Sequence, residues 1–122
     1  PAPSPAPADT KAERIQRGQR TYAGICAACH QPNGTGLENA FPPLAGSDYL
    51  NSDRRGAIAT VLQGLTGPVT VNSRTYNSVM PALSLSDEDV ANVLTYVYSQ
   101  WNNAGHDITA AEVSTVRGAP GR

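Results

Sequence analysis

The pattern of apolar and polar residues is most regular near the carboxyl end of the chain, where it predicts an amphipathic helix. Ser86 is a candidate N-cap, and the three acidic residues after it suit the positive end of a helix dipole. One apolar face then recurs at helical spacing, formed by Val90, Val93, Leu94, Val97, Tyr98 and Trp101. A helix over these positions would present this face to the core.

Two earlier segments also have helical periodicity. The first helix is predicted over residues 10–28 from the spacing of Ile15, Tyr22, Ile25 and Cys29. Gly18 interrupts it at a cost of about 1 kcal/mol relative to Ala, and a Gly tolerated there often marks the close approach of another backbone. The second helix is predicted from an N-cap at Ser52 or Asp53 to a stop at Gly67 and Pro68. Its apolar positions are Ile58, Val61, Leu62 and Leu65.

The remaining segments are shorter or irregular. Residues 31–50 are rich in Pro, Gly and Asn, and a loop of this length usually has a function. A small hairpin is predicted from two short runs of β-branched and aromatic residues, 69–71 and 75–76, with a turn at residues 72–74 between them. Residues 109–112 resemble a capping box that opens a short helix.

Composition narrows the class of protein. Charged residues make up 16% of the 122 residues and the net charge is −1, which argues against a polybasic nucleic-acid-binding protein. No apolar run approaches the roughly 20 residues of a membrane-spanning helix, so no membrane insertion is expected. Residues 1–10 are rich in Pro and Ala and are interpreted as a linker, without the charged start and apolar stretch of a signal peptide. With one Phe and one Trp, the chain's own core looks thin, and a non-protein group is a candidate to fill it.

A five-residue string supplies the candidate chemistry. Cys26 and Cys29 are separated by two alanines, and His30 follows directly. A C-x-x-C-H string is typical of c-type haem attachment. Each thiol adds across one haem vinyl group to form a thioether, and the adjacent His binds the iron as the proximal ligand. The string therefore predicts one covalently bound haem c.

Three other interpretations of the cysteines are weaker. A zinc site needs a second pair of ligands, yet the chain has only these two Cys and one further His, His106. A thioredoxin-like dithiol needs a βαβ setting, and no parallel-strand pattern surrounds the string. A disulfide between Cys26 and Cys29 would close too small a loop to stabilise the fold much.

The second iron ligand is predicted to be Met80, the only Met in the chain. It lies in the loop before the third predicted helix, and Pro81 follows it. Met and His together are a recurrent ligand pair in cytochromes c. Two alternatives stay open: Met80 fills a gap in the core, or His106 is the sixth ligand.

The order of these elements resembles a class I c-type cytochrome over about residues 11–101. Gly18 and Tyr22 resemble the Gly and the aromatic residue at which that family's first helix crosses its last. Val93 and Tyr96 occupy the matching places on the third predicted helix.

A second resemblance lies in the loop after the string. Pro42, Leu44 and Gly46 resemble the family's loop in which a Pro carbonyl accepts a hydrogen bond from the proximal His. The resemblance implies that the Pro42 carbonyl holds the Nδ1 proton of His30, a contact that tunes the basicity of the ligand.

The family resemblance implies an all-α class I cytochrome c fold, with three main helices around one haem and a small hairpin before the Met loop. The monohaem domain would cover residues 11–104, followed by a tail over residues 105–122 that can form a short helix. With both axial positions of the iron filled by the protein, we expect single-electron transfer and no enzyme activity of the domain on its own. Thioether attachment in this family implies a periplasmic location.

Residues 72–101 resemble cytochrome domains fused to copper nitrite reductases and cytochrome subunits of membrane-bound alcohol dehydrogenases. We expect electron relay to a fused or associated copper nitrite reductase. The alternatives are a subunit that accepts electrons from a dehydrogenase, and a haem-based ligand sensor or enzyme in which Met80 leaves the iron. The chain has one Lys, Lys11, so it lacks the Lys ring of carriers that dock to oxidases. The expected rim of the haem edge is uncharged and comprises Ala27, Ala28, Asn77, Ser78, Val79, Pro81 and Ala82.

Overall fold

The computed structural model describes residues 10–118. This part of the chain contains six α-helices, one π-helical turn and one two-stranded hairpin, joined by loops. In chain order they are α1 (Lys11–Thr21), the π-helical turn (Tyr22–Cys26), α2 (Ala27–His30), α3 (Asp48–Ser52), α4 (Arg54–Gln63), β1 (Val69–Val71), β2 (Arg74–Tyr76), α5 (Asp87–Ser99) and α6 (Ala110–Gly118). This confirms the expected helical fold with its small hairpin. Residues 1–9 of the predicted linker lie outside the described residues.

The first predicted helix is one continuous helical path from Lys11 to His30. Thr10 caps it, because its hydroxyl oxygen accepts a hydrogen bond from the Glu13 N–H at 3.1 Å. The path ends at Gln31, whose φ of 70° leaves the helical region. The attachment string therefore occupies the end of this helical path, two residues further than the periodicity predicted.

The first helix crosses the last long helix at Gly18, as the resemblance implied. A Cβ at this position would lie 1.9 Å from the carbonyl oxygen of Asn92 and 2.8 Å from Cβ of Tyr96. Only a Gly permits α1 and α5 to approach so closely. Beside this contact the rings of Tyr22, Tyr96 and Trp101 form a cluster, with centroids 5.6 to 6.1 Å apart.

Trp101 was predicted at the end of the third helix, and that placement is wrong. Helix α5 begins after its Ser86 N-cap but ends at Ser99, and Trp101 has a left-handed φ of 55°. Its ring still packs on the core, because the turn after the helix directs it back toward Tyr22 and toward the backbone of Gly34.

The middle helix begins as predicted but is shorter. Asp53 caps α4 by accepting from the Gly56 N–H at 2.9 Å. The helix ends at Gln63 because Gly64, with a φ of 76°, takes the C-cap position. The predicted stop at Gly67 was therefore too late, and Leu65 lies in the loop. The short helix α3 was also not predicted, although Ser47 caps it.

The hairpin forms with a tighter turn than the sequence indicated. Val69 pairs with Tyr76, and Val71 pairs with Arg74 in antiparallel register. This leaves a two-residue turn of Asn72 and Ser73, both with positive φ as a type I′ turn requires.

Helix α6 begins at the predicted capping box, of which only half forms. The Thr109 hydroxyl accepts from the Glu112 N–H at 3.2 Å, while the Glu112 carboxylate binds Arg54 at 2.7 and 2.9 Å. Val113 and Val116 are buried against the rest of the core. Within residues 10–118, no helix is both long enough and apolar enough to cross a membrane.

Candidate haem-binding site

One largely apolar cavity brings together the five site residues that the sequence singled out. Cys26, Cys29, His30, Pro42 and Met80 all line it. Much of the remaining wall is aliphatic and comes from α3, α4, the Met80 loop and α5, including Leu50, Val61, Leu83, Val93, Leu94 and Val97. The apolar wall of the cavity suits a large, flat, hydrophobic group, in line with the expectation that a non-protein group fills part of the core.

His30 is buried on one side of the cavity, at the end of α2. Its Nδ1 lies 2.9 Å from the carbonyl oxygen of Pro42. Because a carbonyl oxygen can only accept, Nδ1 carries the proton and Nε2 is the nitrogen available to a metal. Burial lowers the pKa of His30, and the hydrogen bond to Pro42 opposes that shift. The lowered pKa favours the neutral ring, which is the form that binds iron.

The two thiols are free and lie one helical turn apart along the same wall. Cys26 closes the π-helical turn and is half-buried, whereas Cys29 on α2 is exposed. Burial, with a smaller contribution from Cys29, raises the pKa of Cys26 to about 11. In the described part of the chain, no three His, Cys, Asp or Glu side chains lie close enough to hold a metal ion together. Two thiols, an imidazole and a thioether around one apolar cavity fit a covalently attached haem.

Met80 is half-buried at the cavity and is held by its backbone. Its N–H donates to the Leu65 carbonyl at 2.9 Å, and its own carbonyl accepts from the Leu65 N–H at 2.8 Å. His106, the alternative ligand, does not line the cavity. Its ring instead packs edge-on against Tyr98, with centroids 4.8 Å apart.

Asn103 supports the site, although no sequence pattern indicates its role. Its side-chain oxygen accepts from the Gly46 N–H at 2.9 Å and from the Asn51 amide at 3.0 Å. Its amide nitrogen donates to the carbonyls of Leu44 at 3.1 Å and Val97 at 2.9 Å. Asn103 thus ties the loop that carries Pro42 to the end of α5. Because its partners are distant in the sequence, no local pattern marks it.

The opening of the cavity is uncharged and partly apolar. Ile25 and Val79 both line the cavity, and they are 42% and 65% exposed. Ser78, which was expected on the same rim, is half-buried and donates its hydroxyl to the Ala40 carbonyl at 2.6 Å. Ile25 and Val79 therefore form an exposed apolar rim at the cavity.

Comparison with known proteins shows the family of this chain. The family model described as Cytochrome c matches residues 15–101. The chain is similar to cytochrome c-552 of Thermus thermophilus, with 39% identity over 110 residues that cover 82% of this chain and 83% of that protein.

Other relatives are larger subunits. The cytochrome c subunit of alcohol dehydrogenase (quinone) from Gluconobacter oxydans is 34% identical over 110 residues, or 84% of this chain and 23% of the subunit. The gluconate 2-dehydrogenase cytochrome c subunit of Pantoea cypripedii is 33% identical over 112 residues, or 88% of this chain and 25% of the subunit. The chain thus spans about a quarter of the length of these two subunits.

Proposed function

This chain belongs to the cytochrome c family and is an electron-transfer domain with covalent haem c, and we propose which of its residues hold that group. Cys26 and Cys29 carry the two thioether bonds. His30 would hold the iron through Nε2, and Met80 would hold it through its thioether sulfur.

The convergence of these four donors on one apolar cavity is the observation that supports this assignment. Haem c, when bound, supplies a one-electron ferric–ferrous couple. The Pro42 carbonyl orients the His30 ring and raises its basicity through the Nδ1 proton. The Met80 thioether is a soft donor that favours the reduced state and raises the potential. The aliphatic wall excludes water and lowers the local dielectric, which also bears on the potential.

With His30 and Met80 both holding the iron, no coordination position would be left for a substrate, and the domain would pass electrons without binding one. We expect a low-spin spectrum with the weak long-wavelength band of Met bound to ferric iron, and no rapid carbon monoxide binding when reduced. Haem should remain on the chain after acid–acetone extraction, whereas the double variant Cys26→Ala, Cys29→Ala should yield little holoprotein. A high-spin ferric spectrum or rapid carbon monoxide binding would instead support the ligand-sensor alternative.

The redox partner belongs to the same proposal, and two partner classes have support. Relatives that are cytochrome subunits of dehydrogenases support a dehydrogenase that reduces this domain. The similarity of residues 72–101 to domains fused to copper nitrite reductases supports a fused or associated copper nitrite reductase that oxidises it. The uncharged rim favours transient docking with little electrostatic steering in either case. Thioether attachment supports a periplasmic location.

Two assays separate the partners. In the first, reduced holoprotein is mixed with a copper nitrite reductase, and haem oxidation is followed as nitrite is added. In the second, oxidised holoprotein is mixed with a quinone-dependent alcohol dehydrogenase that lacks its own cytochrome subunit, and haem reduction is followed as ethanol is added. The productive assay identifies the partner class, and its rate should depend only weakly on salt. Rates that collapse at high salt would indicate a charge-steered soluble carrier.

A further inference from the structure

The loop that carries Met80 is fastened along the end of α4. The paired hydrogen bonds between Leu65 and Met80 form one tie, and the Leu83 N–H adds another by donating to the Val61 carbonyl at 3.2 Å. The backbone on both sides of the thioether is thus held to the same short stretch of chain.

Gly64 lies directly against the backbone of the Met80 loop. A Cβ there would lie 2.6 Å from the Met80 carbonyl oxygen, 2.7 Å from the Ala82 nitrogen and 3.0 Å from the Pro81 carbonyl carbon. All three are backbone atoms of the Met80 loop, so no side chain can swing aside to make room. Gly64 also has a φ of 76°, which side-chain-bearing residues rarely adopt. A larger residue would therefore push the Met80 loop away from α4.

Ser78 provides a second tie, to a different part of the site. Its hydroxyl donates to the Ala40 carbonyl at 2.6 Å. Ala40 lies two residues before Pro42, so this bond joins the loop that carries Met80 to the loop that supports His30. It therefore connects the two sides of the cavity across its rim.

We propose that Gly64 and Ser78 are positioning residues that keep the Met80 thioether on the iron. This inference rests on the proposed ligation by Met80. An outward movement of the loop would carry the sulfur away from the iron, and such a movement breaks the Leu65 pair on one side and the Ser78 bond on the other. The two residues thus govern how readily an external ligand replaces Met80, although neither touches the iron.

The test compares Gly64→Ala with Gly67→Ala in the holoprotein. Gly67 has a similar φ of 86°, but a Cβ there meets nothing within 4 Å, so this control carries the backbone strain without the contact. The readouts are the Met-to-ferric-iron band and the rate of carbon monoxide binding to reduced protein. We expect Gly64→Ala to weaken the band and to bind carbon monoxide about tenfold faster or more, given the usual cost of overpacking. Gly67→Ala should keep the wild-type band.

Ser78→Ala is the second variant, and its control is Ser84→Ala at an exposed serine further along the same loop. Loss of one hydrogen bond should speed carbon monoxide binding by about two- to tenfold, with no change for Ser84→Ala. If Gly64→Ala does not fold, the serine pair decides the question. A wild-type spectrum without the Met band would refute the ligation itself. If the Met band and the rate of carbon monoxide binding both stay at their wild-type values in the two variants, the positioning role alone is overturned.

Discussion

Substitution of Gly18 by Ala tests the helix crossing on which the fold depends. The added Cβ would lie 1.9 Å from the Asn92 oxygen and 2.5 Å from the Asn92 carbonyl carbon. Non-bonded carbon contacts are ordinarily about 3.5 to 4 Å, so α1 and α5 must separate locally by more than ~1 Å. Overpacking of this kind costs up to about 3 kcal/mol. The higher helix propensity of Ala offsets about 1 kcal/mol of this cost, so the free energy of unfolding should fall by about 2 kcal/mol.

The assay is thermal unfolding of the ferric holoprotein followed by far-ultraviolet circular dichroism. At roughly 4 °C per kcal/mol for a domain of this size, Gly18→Ala should melt about 8 °C below the wild type. Gly24→Ala is the matched control, because a Cβ at Gly24 meets nothing within 4 Å. It should melt at or slightly above the wild type. If Gly18→Ala melts with the wild type, the two helices do not meet backbone to backbone at this position.

Three further changes follow from the site and the core. Met80→His should lower the midpoint potential substantially while the iron stays low-spin, because imidazole favours ferric iron more than a thioether does; an unchanged potential and spectrum would mean that Met80 does not bind the iron. Burial raises the pKa of Tyr98 from 10.0 to about 12, so the stability that depends on its neutral phenol is present below pH 10 and is lost as the pH rises toward 12. In denaturant titrations at neutral pH, Tyr98→Phe should lower the free energy of unfolding by about 1 kcal/mol, because the hydrogen bond to the Leu50 carbonyl is lost. In alkali the free energy of unfolding should fall less steeply with pH in Tyr98→Phe than in the wild type, and equal slopes would contradict this. Trp101→Ala should lower the free energy of unfolding by about 3 kcal/mol, at the low end for a large aromatic because the ring is only half-buried. A loss below about 1 kcal/mol would show that the contacts of Trp101 with Tyr22 and Gly34 contribute little.

The sequence was most informative where the chemistry or the periodicity is local. The attachment string needs only five consecutive residues, and α5 shows its cap and its apolar face within one window. The end of α4 was misplaced because Gly64 stops the helix through its backbone conformation, while the apolar spacing runs on to Leu65.

Contacts between distant parts of the chain were not predictable in the same way. Asn103 binds Gly46 and Leu44 across more than fifty residues, and a turn asparagine with such partners looks like any other in the sequence. Glu112 was expected to complete a capping box, but Arg54 competes for its carboxylate with a bidentate ion pair. In each case the side chain binds a partner that is distant in the sequence, and local sequence patterns do not indicate such partners.

The pair of hydrogen bonds between Leu65 and Met80 also keeps Met80 in place when the chain between these two residues changes in length. It closes residues 65–80 into a ring of backbone, with the hairpin β1–β2 inside it and the turn at Asn72 and Ser73 at its far end. Lengthening a closed loop costs little, about 0.6 kcal/mol for each doubling. Asn72 exchanges hydrogen bonds with Asp48 at 2.8 and 2.9 Å, which leaves the position after Ser73 as the place for extra residues. A tag, a label or an evolutionary insertion at that point would lengthen the hairpin tip while the two ends of the loop, and the thioether at one of them, stay where they are.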